Sequence, residues 1–255
     1  MITTTAILGT FGEGIEFLFK ERESVSGGVQ IGGPAEMADF AATHMIVSVA
    51  AVMIACALAI PLSLWLGHIG RGDFLATATS NVGRAVPSLA LLAFFISFVG
   101  LGYTNVISVL VLLAIPPLIT STYVAMRQVD RDTVDAARGQ GMTGFEIVRK
   151  VELPLALPTI FGGLRIAAVT VVATATIAPL ANVQTLGEPI LTPQTYGPVG
   201  QIGASILVAS ITLLIDFLFA RLQRAVTPKG LKLAGDAPAK RPRFSLPTRR
   251  SLRAT

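Results

Sequence analysis

The sequence predicts an all-α integral membrane protein with about five transmembrane helices, its N-terminus outside and its C-terminus inside the cell. Hydrophobic residues make up 52% of the 255 residues and charged residues only 14%, whereas an average soluble domain has about 25% charged residues. Several apolar runs also approach the roughly 20 residues that a helix needs to cross a bilayer. A membrane β-barrel would instead show short segments of alternating hydrophobicity.

Five apolar segments form the predicted membrane domain, which covers residues 44–227. They share a nearly complete lack of charge, and they span about 45–66, 85–101, 105–126, 159–181 and 200–220. A polar helical lead-in at 74–84 is expected before the second span. Pro116 and Pro117 interrupt the hydrogen-bond ladder of the third span, so the freed backbone groups need protein or water partners.

The fourth and fifth spans each contain one ionisable residue. The fourth is rich in Gly, Ala and Thr, which let helices approach closely in lipid, so we expect it to be buried in the bundle. Arg165 lies near its start, where it can snorkel or pair. Asp216 lies near the basic end of the fifth span, and pairing with Arg221 or an arginine of another helix is favoured over a transport role.

The distribution of Lys and Arg among the loops predicts the orientation. Segments 67–73 and 127–153 carry one and five of these residues and the chain from Arg221 onward carries ten, whereas loops 101–105 and 182–199 carry none. A basic tail can also indicate nucleic-acid binding, but beside a spanning helix it favours the cytoplasmic side. We expect no nucleic-acid partner. The tail, residues 228–255, is predicted to be disordered and held to membrane lipid.

Residues 1–43 are predicted to be an extracytoplasmic segment of mixed composition. Phe11, Ile15, Leu18 and Phe19 form one helical stripe, which can lie in the membrane interface or pack against the protein's own helices. Residues 24–34 are rich in Ser and Gly and predict a flexible loop. The chain has a single cysteine, so we expect neither an intramolecular disulfide nor a metal cluster.

A charged segment, residues 127–158, lies between the third and fourth spans on the predicted cytoplasmic face. Gly139 and Gly141 are expected to stop a first short helix, and Thr143 with Glu146 matches a capping box that starts a second. Two prolines, at 154 and 158, are expected to bound that second helix. A short helix that shows apolar side chains to water suits insertion into a groove on another protein.

The spacing within this segment carries a resemblance. Asp135-Ala136-Ala137, three residues, Gly141, nine residues and then Val151-Glu152-Leu153-Pro154 resembles the EAA loop of ABC importer permeases. Stretches between about 44 and 230 are similar to the permeases of osmoprotectants, namely glycine betaine, choline, carnitine or proline betaine. The resemblance implies a MetI-like ABC permease fold. One departure is NVQTLG at 182–187, where the family carries a run such as GAGGLG and only Leu186 and Gly187 fit.

The resemblance implies that the EAA loop is the coupling helix that enters a groove of the ATPase. The residues expected to act there are Asp135, Ala136, Ala137, Gly141, Phe145, Val148, Val151, Leu153 and Pro154. The implied partners are two ABC ATPase subunits, a second permease subunit and an extracytoplasmic solute-binding protein. Because the chain has no GxxxxGK[ST] motif, ATP and Mg are expected on the ATPase. We therefore expect no cofactor on this chain and no enzymatic activity of its own.

Candidates for the transport pathway or gate come from the spans and from the departing loop. They are Pro116, Pro117, Thr170, Thr174, Thr176, Leu186 and Gly187. Each threonine can equally serve as a hydrogen-bonding contact between helices. A permease for another solute, such as an amino acid or methionine, is the alternative function. A stand-alone channel or secondary carrier is the alternative of a different class, although a carrier should show inverted repeats or buried ionisable pairs.

Overall fold

The computed structural model describes residues 4–227, and it is almost entirely helical. The helices in chain order are α1 (Thr4–Phe17), α2 (Gly33–His68), α3 (Asp73–Ala85), α4 (Ser88–Val99), α5 (Tyr103–Arg127), α6 (Arg131–Gly139), α7 (Gly144–Ile147), α8 (Leu153–Thr174), α9 (Glu188–Leu191) and α10 (Pro193–Val226). Strands β1 (Glu21–Glu23) and β2 (Gln30–Gly32) form a hairpin. A π-helical turn, Val148–Glu152, joins α7 to α8, and a 3-10 turn, Ala175–Ala181, follows α8.

Four helical segments are long and apolar enough to cross a membrane, and they contain the predicted first, third, fourth and fifth spans. They are Gly33–His68, Tyr103–Arg127, Gly144–Ala181 and Pro193–Val226. The predicted second span contains α4, which has only 12 residues and is therefore about 18 Å long. The all-α membrane class is confirmed. The count of five spans and the orientation stay predictions.

Helix α5 lies at the centre of the bundle, against α2, α3, α4 and α8. It continues as one helix through both of its prolines. Helix α8 approaches α5 closely because Gly163 has no side chain: a Cβ there would lie 2.3 Å from the Cβ of Ser121. Ala167, Val171 and Ala175 of the fourth span are fully buried, as its small residues predicted.

The N-terminal segment differs from its predicted form at one point. Residues 24–34 contain strand β2, which pairs antiparallel with β1, so the prediction of a flexible loop across this whole stretch is wrong. The glycines that indicated a loop instead make the turn at 27–28 and the entry to α2, all at positive φ, where glycine is favoured.

Helix α1 packs against α10 through its small and inward-facing residues. Gly14 lies on Gly203 and Phe17 is fully buried, whereas Phe11, Ile15 and Phe19 are exposed. Leu18, the fourth residue of the predicted stripe, is partly buried against the cluster around Phe17, so the stripe packs on the protein's own helices only there. A place in the membrane interface stays a prediction for the other three side chains. The predicted tail, 228–255, lies outside the described residues.

Candidate coupling site and transport pathway

The charged segment 127–158 begins with helix α6. Asp130 caps it by accepting a hydrogen bond from the backbone N–H of Asp132 at 3.0 Å, which satisfies one free donor of the first turn. Gly141 turns the chain after the helix at φ +83°, a conformation that costs glycine little. The predicted helix–turn arrangement is confirmed here.

A capping box starts helix α7, as predicted. Glu146 accepts a hydrogen bond from the backbone N–H of Thr143 at 3.0 Å, and Thr143 accepts one from the N–H of Glu146. A hydrogen bond from Lys150 and those from Thr143 lower the pKa of Glu146 from 4.5 to about 2. The ionised box is therefore fully formed above about pH 4.5 and weakens only as the pH falls through about 2.

The two prolines do not bound the second helix, so that prediction is wrong. Backbone conformation stays helical from α7 through the π-helical turn into α8. The wider turn stands immediately before Pro154, where an α-helix would press the proline ring against the carbonyl four residues earlier. The second half of the charged segment, from α7 onward, and the fourth span are consequently one continuous helix. The whole charged segment 127–158 is called the coupling segment below, after its predicted role.

An apolar cluster holds the coupling segment against the ends of the spans. Val134 and Ala137 of α6 and Ile147 of α7 are buried with Met126 of α5 and Ile160 of α8. The flanking residues Val148, Val151 and Leu153 are partly buried against the same cluster, and Pro154 is also partly buried. These predicted coupling residues thus fix the segment to the membrane domain.

The opposite side of the segment faces away from the protein. Asp135, Ala136 and Gly141 are exposed, and Phe145 has 74% of its surface exposed. Burial of a large aromatic side chain on a partner is favourable, so Phe145 is suited to a pocket on a partner protein. The predicted coupling residues therefore divide into an anchoring set and an outward-facing set.

A partly buried hydrogen bond that the sequence did not predict ties this segment to α2. The Nδ1 atom of His68, the last residue of α2, lies 2.6 Å from the Oε2 atom of Glu152, and Glu152 is fully buried. The only sequence sign was an acid inside the apolar end of the EAA pattern and a histidine in a glycine-flanked turn. The link joins the first span to the coupling segment.

The predicted pathway residues fall into two separate groups. Pro116, Pro117 and Thr170 together line a cavity of about 370 Å³ beside α5. Thr176 instead lies against the loop 182–187. A Cβ added to Gly187 would lie 1.8 Å from the carbonyl oxygen of Thr176. The other two candidates lie outside that cavity too: Leu186 is fully buried and Thr174 is partly exposed.

Residues 182–187, which depart from the family's glycine-rich run, begin in a backbone conformation that favours glycine. Asn182 adopts φ +60°, and asparagine is one of the few side chains that visit this left-handed region readily. Thr185, where the family has glycine, is buried and donates to the carbonyl of Ala175 at 3.1 Å. Two of the four changed positions, Asn182 and Thr185, are therefore accommodated in the folded loop.

Arg165 and Asp216 form an ion pair between α8 and α10, as the sequence favoured for Asp216. The guanidinium Nε and Nη2 atoms donate to the two carboxylate oxygens at 2.5 and 2.6 Å. The pair lies in the wall of a cavity of about 700 Å³.

Residues 59–230 match the family described as binding-protein-dependent transport system inner membrane component. The chain belongs to this family. It is therefore a multi-pass component of the inner membrane, and an ATPase and a solute-binding protein are its implied partners.

Curated relatives are named as osmoprotectant permeases. The glycine betaine/carnitine/choline transport system permease protein OpuCB of Bacillus subtilis is 34% identical over 74% of this chain and 88% of its own length. The carnitine transport permease protein OpuCB of Listeria monocytogenes is 32% identical, with 75% and 88% covered. These names describe transport subunits, which agrees with the prediction that this chain is not itself an enzyme.

Solved structures of ABC transporters share the fold. The inward-facing MetNI methionine ABC transporter matches with a TM-score of 0.65 at 23% identity, covering 75% of this chain and 96% of that chain. An amino acid ABC transporter with histidines matches with a TM-score of 0.56 at 18% identity, covering 76% and 94%. The predicted MetI-like permease fold is confirmed.

Proposed function

We propose that this chain is the permease subunit of an ABC importer that moves glycine betaine, choline, carnitine or proline betaine into the cell. The single observation that carries the solute class is the similarity to the osmoprotectant permeases along three quarters of the chain. The driving force is ATP hydrolysis on a separate ATPase, which holds the ATP and Mg.

The coupling segment is the proposed contact with that ATPase. Its inner side is fixed by the cluster around Ile147 and by the bond from His68 to Glu152. Its outer side presents Asp135, Ala136 and Phe145 to a partner. The small side chain of Ala136 allows close approach, Asp135 can meet a basic group, and Phe145 fills an apolar pocket.

Movement of the ATPase then reaches the pathway through a continuous helix. The segment passes through the π-helical turn into α8, and α8 carries Thr170 at the cavity beside Pro116 and Pro117. A displacement of the coupling segment therefore shifts one wall of this cavity against α5. Two ATPases, a second permease subunit, which is a copy or a paralogue, and an external binding protein complete the proposed importer.

Transport by the reconstituted complex tests this function. The permease is placed in proteoliposomes with its ATPase and binding protein, and uptake of glycine betaine, choline, carnitine, proline betaine, methionine and histidine is measured with and without ATP. We expect ATP-dependent uptake of one or more osmoprotectants and none of the two amino acids. Uptake confined to an amino acid would establish the alternative solute class, and uptake without ATP would indicate a channel or secondary carrier.

A further inference from the structure

The predicted fourth and fifth spans contain one ionisable residue each, and these two residues meet. Arg165 and Asp216 share two hydrogen bonds. Charged residues within membrane spans face the bundle interior or a water-filled cavity and often mark a solute pathway. The residues around the pair indicate whether it can contact a solute as well as join α8 to α10.

The pair lines a cavity whose walls also include Ser121, Thr170 and Gln223. The side chains of Arg165 and Asp216 remain 36% and 35% exposed, so both stay within reach of a molecule in the cavity. The lining mixes these polar side chains with apolar ones such as Ile166 and Val169, and the polar groups allow water to stand beside the pair.

The cavity adjoins two others, and together they form a strip that carries polar side chains among apolar ones. The first cavity shares Ser121, Ile166 and Thr170 with the 370 Å³ cavity beside α5. That second cavity shares Ser80 and Thr120 with a third of about 260 Å³. The strip therefore runs from α3 across α5 and α8 and ends at the ion pair on α10.

We propose that the Arg165–Asp216 pair is a transit site for zwitterionic solutes, an inference that rests on the proposed function. The carboxylate of a betaine can take the two donors of Arg165, since guanidinium and carboxylate match as a bidentate pair. Its quaternary ammonium group takes the carboxylate of Asp216. Each charge of the pair exchanges one partner for another, and none is left unpaired.

This exchange distinguishes zwitterions from simple cations. Choline has no carboxylate, so it can occupy Asp216 only by leaving Arg165 without the counter-charge that Asp216 provides, which is less favourable than the exchange that a zwitterion allows. The protein's own pair re-forms when the solute departs, which keeps the site weak enough for release. A merely structural tie between α8 and α10 would treat the two kinds of solute alike.

The test compares maximal uptake of glycine betaine and of choline in proteoliposomes at saturating binding protein. The double variant Arg165→Gln/Asp216→Asn removes both charges and keeps hydrogen-bonding groups. We expect the ratio of glycine betaine to choline uptake to fall roughly tenfold, the size of one lost charge-assisted hydrogen bond, while choline uptake persists and shows that the complex folds. The control Glu16→Gln/Lys20→Gln removes an exposed ion pair of α1 and should leave the ratio unchanged.

An unchanged ratio, or an equal loss of both solutes, would overturn the transit site and leave the proposed function standing. Wild-type uptake of choline without glycine betaine would also overturn it. If the wild type transports neither solute, the proposed function fails and the inference fails with it. The two failures are thus told apart by the wild-type measurement.

Discussion

At the scale of single residues, Phe145 presents the largest outward-facing apolar side chain of the coupling segment. We predict that Phe145→Ala lowers ATP-dependent uptake by about tenfold or more, because a buried aromatic anchor contributes about 2 kcal/mol or more to an interface. Since the side chain is 74% exposed in this chain, its removal should change the chain's own stability by no more than about 0.5 kcal/mol. Uptake and the amount of co-purified ATPase measure the effect.

The matched control for this variant is Phe98→Ala. Phe98 is 73% exposed but lies in α4, outside the coupling segment. It should retain both ATPase binding and uptake. Equal losses in the two variants would show that exposed phenylalanines matter generally and would remove the coupling role of Phe145.

Gly141 gives a second prediction at this scale. A Cβ there would meet no atom within 4 Å, and its φ is +83°, so a substitution acts through backbone strain and through the surface it presents to a partner. We predict that Gly141→Asp abolishes uptake and leaves membrane insertion intact, as measured by uptake and by membrane fractionation. Gly141→Asn is the control. Asn and Asp both tolerate a left-handed backbone, and only Asp adds a charge. Wild-type uptake in the Asp variant would contradict the assignment.

The residues that sequence predicted well are those whose partners lie a few positions away. The capping box joins Thr143 and Glu146, and Gly141 acts through its own backbone, so local chemistry was sufficient. The partner of Asp216 stayed open because several arginines were available, and only the packing of α8 on α10 selects Arg165. The bond between His68 and Glu152 crosses 84 positions, and no local pattern indicates it.

At the scale of elements, two adjacent glycines of α8 allow a matched test of helix packing. A Cβ on Gly163 would lie 2.3 Å from the Cβ of Ser121, whereas one on Gly162 would lie 3.4 Å from the side-chain nitrogen of Gln223. We predict that Gly163→Ala destabilises the protein by about 1–3 kcal/mol, since a close-packed contact must open. Gly162→Ala should be tolerated. Thermal unfolding in detergent measures both, and equal midpoints would contradict the packing of α5 on α8.

The bond between α2 and the coupling segment gives a further prediction. His68→Ala leaves the fully buried carboxylate of Glu152 without this partner, which should cost about 1–3 kcal/mol of stability. We also expect less solute to be imported for each ATP hydrolysed, because the coupling segment is no longer hydrogen-bonded to the first span. The measurements are the unfolding midpoint and the ratio of solute imported to ATP hydrolysed.

The double variant His68→Ala/Glu152→Leu separates the two effects. Replacing both partners with apolar groups avoids a buried unpaired carboxylate, so stability should return. If the link transmits movement, the transport ratio stays low in the double variant. Recovery of both stability and ratio would assign the link a purely structural role.

Helices and strands were predicted correctly where composition alone determines them. They were missed where neighbouring residues or packing determine them. The long apolar runs predicted the first, third, fourth and fifth spans. The second run gives only the 12-residue α4, because the proline at its start and the glycine after it limit the helix. Pro154 suggested a helix end, yet a π-helical turn accommodates it. The hairpin at 21–32 has strands of three residues, too short to leave a periodic pattern.

At the scale of the whole molecule, the class of fold followed from the bilayer's demand that backbone groups be satisfied within helices. The EAA spacing predicted the family, which the match over residues 59–230 confirmed. The arrangement of the pathway could not be predicted in the same way. The strip of cavities from Ser80 to Asp216 combines residues of four helices, and its polar side chains look ordinary in the sequence.

The central claim is that the outward side of the coupling segment enters the ATPase. The chain has a single cysteine, Cys56, so a Cys56→Ser background allows one new thiol at a time. With Phe145→Cys and cysteines placed along the ATPase groove, we predict a cross-link between the two subunits whose yield changes with ATP, and none from Phe98→Cys. Equal cross-linking from both positions, or none from Phe145→Cys in an active complex, would contradict the account.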